Sequence, residues 1–452
     1  MTRPLPRDAR RALFVYNLCF PLVFLGLLPG FLTRMFRRGN YRDGFGQRLA
    51  RYSAETRARF AQSGSVWIHS ISVGETLVAL KLARVWHEHD PALRVVLSVT
   101  TTTGFALAQH SAADWLVVIY NPIDFPRIVR RALEVLRPRE IVLIEGEAWP
   151  NLVAQAHDRN IPISLVDARL SPRSEQRFRR FRAWTGPIFR LLNAIAVASP
   201  PDVERWRGLG ISRAQLHVTG SIKFDHAAPS GVSRADEFRE LIRALRIPDD
   251  APILVGGSTF PGEEKALAEL LPALRTAHPG AFLIIVPRHI ERVPQILRDL
   301  SPLTLRVALR SRLPDAPSPP DLLLVDTTGE LRDWYALATV VFVGKSLTAT
   351  GGQNPVEPAV LAKTIIFGPH MDNFRGMVEH LLANSAALQV ADVGELRTAV
   401  LDVLASSERR TQLGTRARAV VAVHEGSTER TVALLRAAAT NWPTPGENPC
   451  DP

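Results

Sequence analysis

In this 452-residue chain, the residues able to do chemistry fall into two kinds of segment, each following an apolar run. The first kind is acidic. Trp67-Ile-His-Ser-Ile-Ser-Val-Gly-Glu75 passes from an apolar run into a helix start, with Gly74 permitting a tight turn and Glu75 in the first helical turn. A carboxylate there suits a catalytic role at a ligand cleft, but it equally suits capping and the helix macrodipole, and the segment alone favours capping. The hydroxyl row Thr100 to Thr103 reads as a cap as well. Ile144-Glu145-Gly-Glu147-Ala-Trp149-Pro150-Asn151 places two carboxylates directly after an apolar run, where desolvation is costly without partners. Extended geometry turns Glu145 and Glu147 to one side. Arg169 and Ser171 in Val166-Asp-Ala-Arg-Leu-Ser171, and Lys223 in Gly220-Ser-Ile-Lys-Phe-Asp225, bring further polar and positive groups to the same rim.

The second kind is glycine-rich and basic. Gly256-Gly-Ser-Thr259, followed by Gly262-Glu-Glu264, offers backbone N–H groups to a phosphate. Val286-Pro287-Arg288-His289 supplies a guanidinium and an imidazole suited to phosphate or a nucleobase. Asp326-Thr-Thr328-Gly329-Glu330 is a short turn after another apolar run. Gly344-Lys-Ser346 through Gly351-Gly-Gln-Asn354-Pro355-Val356-Glu357-Pro358 leads glycine-rich backbone into a helix headed by proline, and Glu357 in its first turn suits ribose hydroxyls. The chain has no Walker phosphate loop and no Gly-x-Gly-x-x-Gly with a following acid, so the ATPase and dehydrogenase readings lack support. It also has no Asp-x-Asp pair of the sort that holds a metal-bound sugar nucleotide. Neither a metal nor a cofactor is expected.

These segments must be positioned by something periodic, and short β-branched runs alternate with helical patterns throughout. Runs at 66–69, 95–97, 116–119, 141–144, 163–166, 194–197 and 216–218 form one series; runs at 253–255, 282–286, 322–325, 340–343, 365–367 and 388–390 form another. Such alternation predicts two α/β halves with parallel sheets, and ligands beyond the carboxyl ends of the strands. The expected organisation is a basic arm and membrane anchor over 1–50, a first domain over 51–230, a linker near His226 to Arg234, a second domain over 235–435 and a flexible tail over 441–452.

Charge and cysteine content narrow the setting. Residues 1–51 carry ten arginines against Asp8 and Asp43, a surplus of eight out of the chain's net +11. With so little excess elsewhere, a dedicated nucleic-acid surface is not expected; the basic arm instead suits anionic phospholipid heads, at about 1 kcal/mol per arginine. Ala12 to Leu32 lacks any charge and matches the ~20 residues that cross a bilayer, although Asn17, Pro21 and Pro29 also suit a helix lying in the interface. No small-x-small cleavage site follows. The heavier arginine cluster on the C-terminal side favours a cytoplasmic body at the inner membrane, and the two cysteines, Cys19 and Cys450, build no disulfide framework or metal cluster.

Taken together, the segments resemble the 3-deoxy-D-manno-octulosonic acid (Kdo) transferases of lipopolysaccharide synthesis. Ser-Val-Gly-Glu, Glu-x-Glu-x-Trp-Pro-Asn, Ala-Arg-Leu-Ser, Lys-Phe-Asp, Pro-Arg-His and Gly-Gly-x-Asn-Pro-x-Glu-Pro occur in the family's order, after a Gly39 to Arg48 stretch that also matches. The resemblance implies a GT-B fold of two Rossmann-like domains facing a cleft, with a lipid A precursor bound mainly by the first half and CMP-Kdo by the second. It implies Glu75 as general base, Glu145 and Lys223 as supports of the transition state, and CMP contacts from Pro287, Arg288, Thr328, Gly329, Glu330, Asn354, Pro355, Val356 and Glu357. The chain departs from the family pattern at Asp167, Ser221, Phe260, Lys345 and Gln353, and these positions bear on donor and acceptor detail, including whether the sugar is Kdo itself. Two rivals stand beside this reading. One is a GT-B enzyme or epimerase using a UDP-sugar; the other is a tethered, inactive binding protein, against which the retention of Glu75, Glu145, Arg288 and Glu357 counts.

Overall fold

Strands covered on both faces read as continuous apolar runs, and that is how this chain builds its sheets. The computed structural model describes residues 3–38, 44–60, 64–146, 148–170, 172–225, 234–315 and 319–440. Glu147, Ser171, Gly39 to Asp43, nearly all of the expected linker and the expected tail lie outside them.

The chain divides into two units, Met1–Asp225 with Gly426–Pro452, and His226–Glu425. The first holds β1 (Val66–Ser70), β2 (Val95–Val99), β3 (Leu116–Tyr120), β4 (Glu140–Ile144), β5 (Ile163–Ala168), β6 (Ala194–Val197) and β7 (Leu216–Val218). All are parallel, in the order β3-β2-β1-β4-β5-β6-β7. One apolar cluster, including Ile141, Leu143 and Leu165, covers one face; another, including Ile68, Val142 and Val166, covers the other.

The second unit repeats the plan with β8 (Ile253–Thr259), β9 (Phe282–Pro287), β10 (Val307–Leu309), β11 (Leu322–Leu324), β12 (Val340–Val343), β13 (Thr364–Phe367) and β14 (Leu388–Gln389). These strands too are parallel, in the order β10-β11-β9-β8-β12-β13-β14. Every expected strand forms. Strand β10 was not expected: it is a three-residue edge strand whose arginine flanks hide its apolar centre.

The expected extent of the second domain, 235–435, needs correction. Helix Ser427–Thr440 belongs to the first unit, burying Val432 and Leu435 in the cluster of Ile68 and Val142. Its start is fixed by Asp225, whose carboxylate accepts the N–H groups of Gly426 (2.9 Å) and Thr428 (2.8 Å) and the Thr428 hydroxyl, and which pairs with Lys81. Burial pushes the Asp225 carboxyl up, but the Thr428 bonds, Lys81 and Gly426 bring it below its ordinary value.

The N-terminal helix, Arg7–Arg38, is docked on the first unit along one face. Ala9 and Ala12 are buried, Phe20 and Phe24 meet the ring of Phe125 edge-on at 5.2 and 5.5 Å, and Asn17 exchanges side-chain hydrogen bonds with Asn151. The opposite face exposes Phe14, Leu18, Leu22 and Leu25 at three- and four-residue spacing, a continuous apolar ridge. By length and composition, Arg7–Gly26 is the one membrane-span candidate among the described residues.

Candidate active site

In both sheets the strand order reverses beside the first strand, at β1/β4 and at β8/β12, and ligands of open parallel sheets bind at such points. The candidate residues lie at or after the carboxyl ends of β1, β4 and β7 in the first sheet and of β9, β11 and β12 in the second. None of them lines the two cavities, of about 580 and 470 Å³, that lie elsewhere in the described residues.

Glu75 follows β1 and forms a variant of the capping box, shifted by one residue: its N–H donates to the N-cap Ser72 Oγ (3.2 Å), and its carboxylate accepts the Ile71 N–H (2.7 Å). The capping reading of this segment therefore holds. The same bonds fix the carboxylate of this residue, which as a whole is 8% exposed, just beyond the strand's carboxyl end. Beneath it His69 lies between Ser98 and Asn121, and burial pushes its pKa down to about 3, so it stays neutral and adds no charge to the site. Thr101 caps helix Thr102–His110 through the Gly104 N–H, as expected of the threonine row.

Glu145 follows β4 in a left-handed conformation, φ 65°. The extended alternation expected to align it with Glu147 therefore does not apply. Its backbone N–H donates to Val166 O, which turns the residue toward the ends of β5 and β7. Burial raises the Glu145 carboxyl above its ordinary value and the charge of Asp167 adds to this, while Arg169 and Lys223 pull it back. Arg169 donates to Ser221 Oγ and lies 4.6 Å from the Phe224 ring centroid, with the Lys223 ammonium 5.9 Å from the same centroid. Of the rim expected from sequence, Glu145, Arg169 and Lys223 thus come within electrostatic reach of one another, while Glu147 and Ser171 lie outside the described residues. Asp167, fully buried and itself left-handed, is the member whose role the sequence did not reveal; its Oδ1 accepts the Ile222 N–H.

In the second unit, Arg288 directly follows Pro287, the last residue of β9, and is exposed. The Glu330 carboxylate is bound bidentately by Arg310 at 2.9 and 3.0 Å and also accepts the Thr327 hydroxyl, so it sets the shape of the Thr328-Gly329 turn. Asn354 Oδ1 caps Val356, and its Nδ2 donates to Glu357. Burial raises the Glu357 carboxyl, against the Asn354 bond and the charges of Arg332 and Arg288, which puts a guanidinium and a carboxylate within electrostatic reach at one rim.

Sequence reasoning missed Glu263, which is fully buried. Its carboxylate accepts four backbone N–H groups, from Phe260, Lys345, Ser346 and Leu347, at 2.7 to 3.0 Å. It thereby ties the loop after β8 to the loop after β12. Gly344 allows the contact, since a β-carbon there would lie 2.4 Å from Ser258 O. The only sequence signal was an acid directly after Gly262.

Comparison with known proteins bears on the family and the fold. A family described as 3-deoxy-D-manno-octulosonic-acid transferase (kdotransferase) matches residues 43–226. The 3-deoxy-D-manno-octulosonic acid transferase of Haemophilus influenzae is 31% identical over 93% of this chain and 96% of its own length. That of Bordetella pertussis is 34% identical over 92% and 98%. Among solved structures, Acinetobacter baumannii MurG aligns over 83% of this chain and 99% of its own with a TM-score of 0.53 at 16% identity, which supports the GT-B fold and nothing finer. By the extent and level of these identities, the chain belongs to the 3-deoxy-D-manno-octulosonic acid transferase family.

Proposed function

We propose that this glycosyltransferase moves Kdo from CMP-Kdo to a lipid A precursor, lipid IVA, with inversion at the anomeric carbon. The observation that carries the mechanism is Glu75: a carboxylate held by the Ile71 N–H at the switch point of the first unit, in a chain of this family. In the proposed step Glu75 takes the proton of an acceptor hydroxyl as that oxygen bonds to the anomeric carbon, and the bond from that carbon to the CMP phosphate oxygen breaks. Glu145 and Lys223 support the charge that develops at the sugar. Arg288 and the Asn354 to Glu357 helix start face the phosphate and ribose of the leaving CMP, with Pro287 and the Thr328-Gly329-Glu330 turn beside the nucleotide. This chemistry requires no metal.

The N-terminal helix supports a place at the cytoplasmic face of the inner membrane. One of its faces is fastened to the first unit and the other is an apolar ridge, which favours a helix lying in the interface over one surrounded by lipid. A lipid acceptor confined to that surface meets the enzyme at raised effective concentration.

The test is CMP release by detergent-solubilised protein given freshly made CMP-Kdo, with and without a tetraacylated lipid A precursor. Acceptor-dependent release with a matching mass gain on the lipid is expected. Release of UDP from a UDP-sugar instead, or none from a folded, CMP-binding protein, would overturn the reading.

A further inference from the structure

Lys345 is an L-residue held where glycine would sit without strain. It stands two residues beyond β12 at φ 57°, a conformation that costs a side-chain-bearing residue about 1 kcal/mol. Its backbone is fixed from both sides: the N–H donates to Glu263 (2.7 Å), and the carbonyl accepts the Gly352 N–H (2.9 Å). A strained position so tightly held points to a use for the side chain. That side chain is half-buried, with its ammonium 5.0 Å from the centroid of Phe260, and no ion pair holds it among the described residues. Phe260 in turn meets His289 edge-on at 5.6 Å.

The ammonium also packs close to a glycine. A β-carbon on Gly351 would lie 3.5 Å from Lys345 Nζ and 2.8 Å from Asn373 Nδ2, so an ammonium and an amide converge there. Strands β9 and β12 flank β8, which sets the backbones carrying Arg288 and Lys345 about 10 Å apart. Two long cationic side chains thus bracket the switch point, with Phe260 between them. A nucleotide-activated ulosonic acid carries two anionic groups on one carbon, the phosphodiester and the carboxylate, and two cations so placed suit that pair.

We propose that Lys345 is a specificity-determining residue whose ammonium binds the carboxylate of the donor sugar, leaving the phosphate to Arg288. The proposal rests on the CMP-Kdo reading above. It separates sugar recognition from nucleotide recognition, and calorimetry with CMP and with CMP-Kdo, on full-length protein in detergent, measures the two apart.

In Lys345→Gln, affinity for CMP stays within twofold of wild type while the KM for CMP-Kdo rises at least tenfold, as expected on losing a charge-assisted contact. Lys345→Arg recovers part of the loss. Lys345→Gly relieves the backbone strain, so it shows the same donor defect with a melting temperature no lower than wild type, a combination that a purely structural lysine would not produce. If CMP affinity falls in step with the donor KM, the ammonium serves the phosphate and the proposal is overturned. Unchanged values for both ligands in Lys345→Gln also overturn it, while leaving the donor reading intact. A wild-type protein that binds CMP-Kdo not at all overturns the donor reading and this proposal with it.

Discussion

At β1/β4 the first unit presents carboxylates: Glu75, clamped by one backbone N–H, and Glu145, raised by burial and by Asp167. At β8/β12 the second unit, with the same parallel topology, buries its carboxylate completely. There Glu263 is consumed by four backbone N–H groups, and Arg288, His289 and Lys345 stand at the rim, with Glu357 as the carboxylate that faces them. The topology supplies a crevice in each case. What differs is whether the acid of the loop is spent on backbone: kept at the rim it is a candidate proton acceptor, and spent on backbone it leaves a receptor for anions. Proton transfer and leaving-group binding can thus sit on two copies of one architecture.

The sharpest way to break this contrast is to remove the acid kept at the rim. Glu75→Gln keeps the size of the side chain and should lower kcat by about 10³-fold, within the range of general-base effects, while CMP binding measured by calorimetry stays near normal. Near-normal turnover would sink the assigned role. Removing the buried acid should act on stability instead. Glu263→Ala leaves four backbone donors without their acceptor and should destabilise the second unit by about 3 to 5 kcal/mol in denaturant titration, with weaker CMP binding as the two loops separate. An unaltered midpoint would show that the four N–H groups find other partners.

Asp225 offers a milder comparison, a carboxylate spent on a helix start. Asp225→Asn should cost about 2 kcal/mol at neutral pH. Because the folded-state carboxyl lies below its ordinary value of 3.8, the advantage over the variant is complete above that value and disappears as pH falls through the depressed folded value. Equal loss at all pH would contradict the charged cap. The smallest effect concerns Glu145. Lys223 lowers its pKa, so Lys223→Met should raise that pKa further and move the acid limb of the rate profile to higher pH. A limb that stays in place would separate Glu145 from the titration of the rate.

Much of this fold was legible because strands buried on both faces leave unbroken apolar runs, as Ile141 to Ile144 and Val340 to Val343 do. The capping box was legible too, since Ser72 and Glu75 stand three residues apart. Less visible were features set by contacts distant in sequence. Helix Ser427–Thr440 carries no local mark of the core it joins; its partner Asp225 lies about 200 residues away. The role of Glu263 depends on the loop at Lys345 to Leu347, and the left-handed turns at Glu145 and Lys345 fall on residues with no preference for them. Asn151 read as part of a catalytic motif, yet its described bonds fasten the N-terminal helix and the loop at Asp124.

The return of the last helix to the first unit also sets an order of events during synthesis. The two points where the chain leaves and re-enters that unit, Asp225 and Gly426, are hydrogen-bonded to each other, so everything between them is an insertion closed at one place. On the ribosome the first unit must wait for those intervening residues, about 10 to 40 s at ordinary elongation rates, with the surface that receives Val432 and Leu435 uncovered. The inserted unit has its whole sequence available earlier. Although it comes second in the chain, it is the one able to finish folding first.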